Sequence, residues 1–276
     1  MNLELGFSPC PNDTFIFDPL VRGGVSDPGI RVTPVIEDVE TLNQLVRSGR
    51  LPVSKVSFHL LGHVRDRYLL LRSGAALGRG CGPLLVARTP LDSSRLRGKR
   101  IAIPGVYTTA ALLLRLYDPT LSDLVPIPFD QIMPAIRRGD VDAGVIIHES
   151  RFTYRSEGLV SIRDLGEWWE EYSGFPIPLG GIVCRRDLPE GIPSRLERVI
   201  RESILYSRRH PEEAEPFIRR HAQEMDPEVC ASHISLYVTD FSVDLGEEGV
   251  GAIGRLFREA EEKGVIPRYE GDIYIP

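Results

Sequence analysis

The sequence predicts a two-lobed α/β clamp with a ligand cleft between the lobes, and three observations carry that expectation. Strand-like and helix-like patterns alternate through residues 3–148, as they do where helices pack on the faces of a sheet. Stretches rich in Gly and Pro near residues 85–92 and 174–182 separate two such strand–helix sets. From Pro193 onward the pattern is nearly all helical. A chain of 276 residues can give each of two lobes its own core. The expected division is residues 1–88 with 180–276 for the first lobe, including the C-terminal helices, and residues 89–179 for the second.

In chain order, residues 3–8 alternate like a short strand, and Pro9, Pro11, Asn12 and Asp13 break it ahead of a helix opening near Thr14. Residues 30–37 form a second strand. Asp38 then caps a helix with Val39, Leu42, Leu45 and Val46 at helical spacing, ending at Gly49. Residues 51–58 are a third strand, and such strand–helix alternation with short loops implies parallel pairing. A Gly-rich passage over 74–82 leads into the apolar run 83–87, where the chain crosses between lobes. The second lobe takes a strand at 99–103, a loop at 105–109, a helix at 110–117, a helix at 130–138 stopped by Gly139, and a strand at 141–147. After a helix at 165–172, residues 175–181 return the chain to the first lobe. There Leu196, Val199, Ile200 and Ile204 make one apolar helical stripe, and Ile253, Leu256 and Phe257 another.

Hydrophobic residues at 42% and charged residues at 26% place the chain among ordinary globular proteins. The net charge of −6 is spread over both halves with no basic block, which argues against a nucleic-acid partner. No window approaches a membrane span, and the first residues lack a basic leader and an apolar run, so the expected location is the cytoplasm. Cys10, Cys81, Cys184 and Cys230 lie far apart without CxxC or Cys/His spacing, so they are expected as reduced thiols with no metal site. The sequence leaves a homodimer open.

Three places carry chemistry. His148 follows a buried strand at the carboxyl end of a sheet, where open α/β folds collect ligands, and it titrates in the range for general acid–base work. A histidine hydrogen-bonded to a neighbouring loop is the plain alternative. The neighbouring Glu149 points the other way if the strand continues, and is expected to be structural. Thr108 and Thr109 stand between a strand and a helix, where backbone N–H groups and hydroxyls suit a carboxylate, although N-capping alone accounts for one hydroxyl. Lys55, Val56 and Ser57 end the third strand at the same edge, with a cation and a hydroxyl on one face. No Walker loop occurs, and residues 78–82 read as flexible backbone with Arg79 as an anion partner. His59, His63, His210, His221 and His233 are scattered, without a metal-ligand set.

Residues 6–15 (through Pro9, Cys10, Pro11, Asn12, Asp13 and Thr14), residues 37–43, and residues 146–154 together resemble the 1,4-dihydroxy-6-naphthoate synthase family of the futalosine route to menaquinone. The resemblance implies a periplasmic-binding-protein-like clamp put to enzymatic use, with cyclic dehypoxanthinyl futalosine as substrate. It further implies a lyase step in which the sugar-derived ring is cleaved from the naphthalene precursor with aromatisation, without metal or redox cofactor. His148 matches the family's general base, residues 55–57 with Thr108 and Thr109 match substrate-contacting segments, and Asn43, Arg79 and Tyr154 fall in pocket-lining stretches. Asp13, Glu149 or a water is left as the helper of His148. The rival readings are a non-catalytic small-carboxylate-binding protein, a transcription factor's effector domain, and chorismate dehydratase of the same pathway.

Overall fold

The structure, a computed structural model, describes residues 1–92, 95–222 and 226–275. The chain begins β1 (Asn2–Phe7), α1 (Pro11–Arg22), β2 (Arg31–Ile36), α2 (Val39–Arg47), β3 (Val53–Ser57), α3 (Phe58–Val64), β4 (Tyr68–Leu70), β5 (Ala76–Gly78). It continues through β6 (Leu84–Ala87), β7 (Ile101–Ile103), α4 (Thr109–Tyr117), β8 (Leu124–Pro126), α5 (Phe129–Arg138), β9 (Ala143–Ile146), α6 (Ser150–Thr153), β10 (Val160–Asp164) and α7 (Leu165–Ser173). Then come β11 (Ile177–Arg185), α8 (Ile192–Arg209), α9 (Pro211–His221), α10 (Pro227–Tyr237), α11 (Asp240–Val243) and α12 (Gly246–Glu262). Two sheets form, β2-β1-β3-β11-β4 with β5 also on β11, and β10-β6-β9-β7-β8.

The local signals behave as their chemistry requires. Asp38 caps α2 by accepting from the amides of Glu40 and Thr41, and Gly139, at φ 83°, ends α5 in the left-handed region that glycine enters without cost. Helix α1 opens at Pro11 rather than near Thr14, because proline's fixed φ suits the first helical position and its missing N–H is not needed there.

Pairing departs from the all-parallel expectation. The pairs β1–β2, β1–β3, β7–β8 and β7–β9 are parallel, but β11 runs antiparallel to β3, β4 and β5, and β6 runs antiparallel to β9 and β10. Both β6 and β11 enter their sheets directly from the other lobe, so no strand–helix–strand crossover dictates their direction. Sheet membership changes between Gly78 and Leu84, ahead of residue 88, and again between Asp164 and Ile177.

Phe7, Phe17, Ile200 and Ile204 fill a core under the first sheet, where α1 lies on α8, α9 and α10. Ile132, Ile136, Ile146 and Tyr154 fill one under the second. A third cluster takes residues from both sheets, among them Val56, Leu85, Leu113, Trp169 and Leu256, so the lobes meet over apolar surface. Polar bridges join them as well: Glu40 accepts from the amide of Tyr107 at 3.3 Å, and Thr109 Oγ1 donates to Leu179 O at 2.6 Å. Among the described residues no helix is long and apolar enough to cross a membrane.

Two buried histidines make this fold acid-sensitive. Burial, then the nearby His63, pushes His59 down to about 3, and burial, then the nearby His148, holds His233 well below the ordinary histidine value. The unfolded chain protonates both rings near pH 6.5 and the native chain refuses the protons, so this stability is present above that pH and is lost as pH falls. Each ring contributes up to about 1.4 kcal/mol per pH unit in that window, and the melting temperature at pH 5 should lie about 5 °C or more below that at pH 7.5. Equal melting temperatures at the two pH values would contradict this.

Candidate active site

The carboxyl ends of β1 and β3 face the ends of β7 and β9 across a cleft lined by residues of both lobes. Its walls include Ser8 just after β1, Asn12 and Asp13 at the start of α1, Lys55, Val56 and Ser57 from β3, Thr108 and Thr109 at the start of α4, and His148. Thus six residues singled out from the sequence, Lys55, Val56, Ser57, Thr108, Thr109 and His148, converge on one cavity.

Asp13 is the hub of the first-lobe wall. Its Oδ2 accepts from the amide and hydroxyl of Ser8 at 3.1 and 2.7 Å. Its Oδ1 accepts from Asn12 Nδ2 at 2.9 Å and from Lys55 Nζ at 3.1 Å. Lys55 also donates to Gly74 O at 2.8 Å, so a buried, hydrogen-bonded ion pair fixes the floor of the cleft. The breaking of β1 by Pro9 and Pro11 is what turns Asp13 back onto Ser8.

Asn43 stands behind this wall. Its Oδ1 accepts from Ser57 N at 3.0 Å and its Nδ2 donates to Ser57 Oγ at 3.2 Å. Ser57 Oγ, held as an acceptor on one side, keeps its own O–H to offer to a ligand. Asn43 therefore orients a cleft residue.

At the second-lobe wall Thr108 is the N-cap of α4: its Oγ1 accepts from Ala111 N at 3.2 Å and donates to Gly105 O at 2.8 Å. Both threonine hydroxyl protons are thus engaged, Thr109's on Leu179. Among the described residues no acceptor faces the amides of Thr109 and Ala110, which stand at the positive end of the helix. The groups left for an anion are backbone N–H groups, not the hydroxyls expected from the sequence.

His148 closes the site at φ 56°, the one non-glycine residue in the left-handed region among those described. Such a conformation costs about 1–3 kcal/mol and is held at functional sites by the packing around it. The ring meets Phe129 edge-on at 5.1 Å and stacks on His233 at 6.1 Å. Burial lowers its affinity for a proton, outweighing Glu149, Asp13 and Asp38, which favour the charged form, so at neutral pH the imidazole is a free base. Cys10, His148 and Glu149 bring donor atoms within 4.8 Å of one another, a three-donor group that the spacing of these residues hid. Burial keeps the Cys10 thiol protonated, and the thiolate is the form that binds metal or attacks. Glu149 Oε2 is buried without a hydrogen-bond partner, a carboxylate oxygen free to act, which the strand-alternation argument overlooked because the chain turns into α6 at that point. Tyr237, whose phenol burial keeps protonated, completes the wall.

Two expected site residues lie elsewhere. Arg79 is half-exposed and pairs with Glu248 at 3.0 Å and Glu170 at 3.8 Å, so its charge is taken up by carboxylates at the back of the lobes. Tyr154 is buried in the second-lobe core, its hydroxyl accepting from Arg155 Nε at 3.0 Å. Asn12 and His233, joined at 2.9 Å, gave no sequence signal beyond their type, since 221 residues separate them.

A family profile described as menaquinone biosynthesis matches residues 3–262. The 1,4-dihydroxy-6-naphthoate synthase of Thermus thermophilus is 54% identical over 263 residues, covering 95% of each chain. That of Streptomyces coelicolor is 45% identical over 271 residues, covering 96% of this chain and 95% of the relative. A crystal structure of an Archaeoglobus fulgidus protein superposes with a TM-score of 0.91 at 36% identity, covering 96% of this chain and 98% of that one. A Candida albicans protein with the generic periplasmic binding protein fold superposes at 0.68 with 14% identity, covering 98% of this chain and 92% of that one, and shows the fold alone. Architecture, cleft and full-length similarity agree, and the chain belongs to the menaquinone biosynthesis family as an enzyme of that pathway.

Proposed function

We propose that the chain is the lyase that converts cyclic dehypoxanthinyl futalosine to 1,4-dihydroxy-6-naphthoate, with His148 as the general base. The single observation that carries the reading is the His148 imidazole, held at φ 56° in the wall of a cleft that also presents the free amides of the α4 N-terminus. The amides of Thr109 and Ala110 anchor the substrate carboxylate, Ser57 offers a hydroxyl proton, and the Asp13–Lys55 pair sets the shape of the floor. His148 removes the proton whose loss lets the sugar-derived ring leave and the bicycle aromatise. The lobes, which the chain crosses between residues 78 and 84 and again between 164 and 177, close around the substrate by a hinge, and the enzyme acts in the cytoplasm.

Purified protein given cyclic dehypoxanthinyl futalosine should release the naphthoate with no metal or redox cofactor added, and small aromatic carboxylates should compete. Conversion of chorismate instead would assign the dehydratase reaction, and tight binding of the futalosine compound without turnover would make the chain a binding protein.

A further inference from the structure

His233 belongs to α10, which packs on α1 and β5 in the first lobe, yet its ring stacks on His148 of the second with planes 19° apart. It has no exposed surface. Its Nε2 lies 2.9 Å from Asn12 Oδ1. Asp13 fixes the direction of that amide, because Asn12 Nδ2 donates to its carboxylate and turns the carbonyl toward His233. A carbonyl only accepts, so Nε2 carries the hydrogen and Nδ1 is bare. Nδ1 is buried and unpartnered, so a proton there would be an uncompensated charge against a second imidazole. His233 is therefore a neutral aromatic plate held by the Asp13–Asn12 chain. With Phe129 on the other lobe, it leaves His148 between two rings. The other titratable or charged groups facing His148 are Cys10, Asp13, Asp38, Lys55 and Glu149.

We propose that His233 is a positioning residue for the proton-transfer step: it is the first-lobe half of a ring stack that orients His148 and shields one face of its ring from water when the lobes meet. The base is then armed in the closed clamp and relaxed in the open one. This rests on the reading of His148 as the base. The Glu40 and Thr109 bridges, by contrast, touch only backbone of the opposite lobe.

The test compares His233→Phe, which keeps a plate and loses the Asn12 bond, with His233→Gln, which keeps a donor for Asn12 and loses the plate. Both are measured as full-length protein by kcat, KM and the pH profile of kcat/KM, beside His148→Asn. In His233→Gln more water reaches the ring of His148, whose affinity for a proton climbs toward the ordinary value. The acid limb should move up by about one pH unit, and kcat should fall roughly 10–100-fold with KM changed less than about threefold. In His233→Phe the limb should return to the wild-type position and at least about tenfold of the lost rate should be regained. A Gln variant with the wild-type limb, or a Phe variant no better than Gln, overturns the stack while inactivity of His148→Asn leaves the base in place. A fully active His148→Asn overturns the base itself.

Discussion

His148→Asn should lower kcat by roughly 10²–10⁴-fold, about 3–5 kcal/mol of barrier, while KM changes little. Asparagine is the right replacement on backbone grounds: the position sits at φ 56°, and Asn tolerates the left-handed region better than most side chains, so the variant keeps the fold. It removes the titratable nitrogen and keeps a hydrogen-bonding group, so substrate still binds. The wild-type profile gives a second reading of the same group. Because burial depresses the affinity of His148 for a proton, the acid limb of kcat/KM should lie below the ordinary histidine value near 6.5, and activity should be flat from there through neutrality. A limb above 7 would mean that the carboxylates of Glu149, Asp13 and Asp38 dominate the ring after all. Near-normal kcat in His148→Asn would move the base to Glu149, whose buried Oε2 is unpartnered.

Asp13→Ala should be the most destabilising single change in the cleft. It strands the Lys55 ammonium, whose side chain is 6% exposed, with one carbonyl as its remaining partner, and it frees Ser8 and Asn12 together. Removing one member of a buried pair costs about 3–5 kcal/mol, or about 10 °C in melting temperature for a chain of this size. Adding Lys55→Met to that variant removes the stranded charge and should recover part of the loss, because a buried pair is worth much less than the penalty of breaking it. Denaturant titration of the two singles and the double measures the coupling; a loss below about 1 kcal/mol in Asp13→Ala would show that water already solvates Lys55.

How much of this was legible in the sequence follows the range of each interaction. Caps and stops were readable because they act within a turn, as with Asp38, Thr108 and Gly139. The apolar stripe of Leu196, Val199, Ile200 and Ile204 was readable from its period, and all four side chains are buried. The direction of β11 was not, since its partners lie 99 or more residues upstream and it reaches them from the other lobe. At the cleft, positions at strand and helix ends were found and their roles were not. The Thr108 and Thr109 hydroxyls looked free in one dimension and are used by Gly105 and Leu179 in three. Arg79 looked like a spare cation because Glu248 stands 169 residues away. Asn12 and His233 read as ordinary polar residues until the fold put them together.

Proton transfer by His148 inside this cleft is tested most directly by single-turnover mixing. Excess protein, wild type or His148→Asn, is mixed with cyclic dehypoxanthinyl futalosine, and both bound substrate and released naphthoate are followed by absorbance and mass. The prediction is rapid conversion in one turnover by the wild type, with the variant holding intact substrate. Conversion at equal rates by both proteins, or no naphthoate from the wild type, would contradict it.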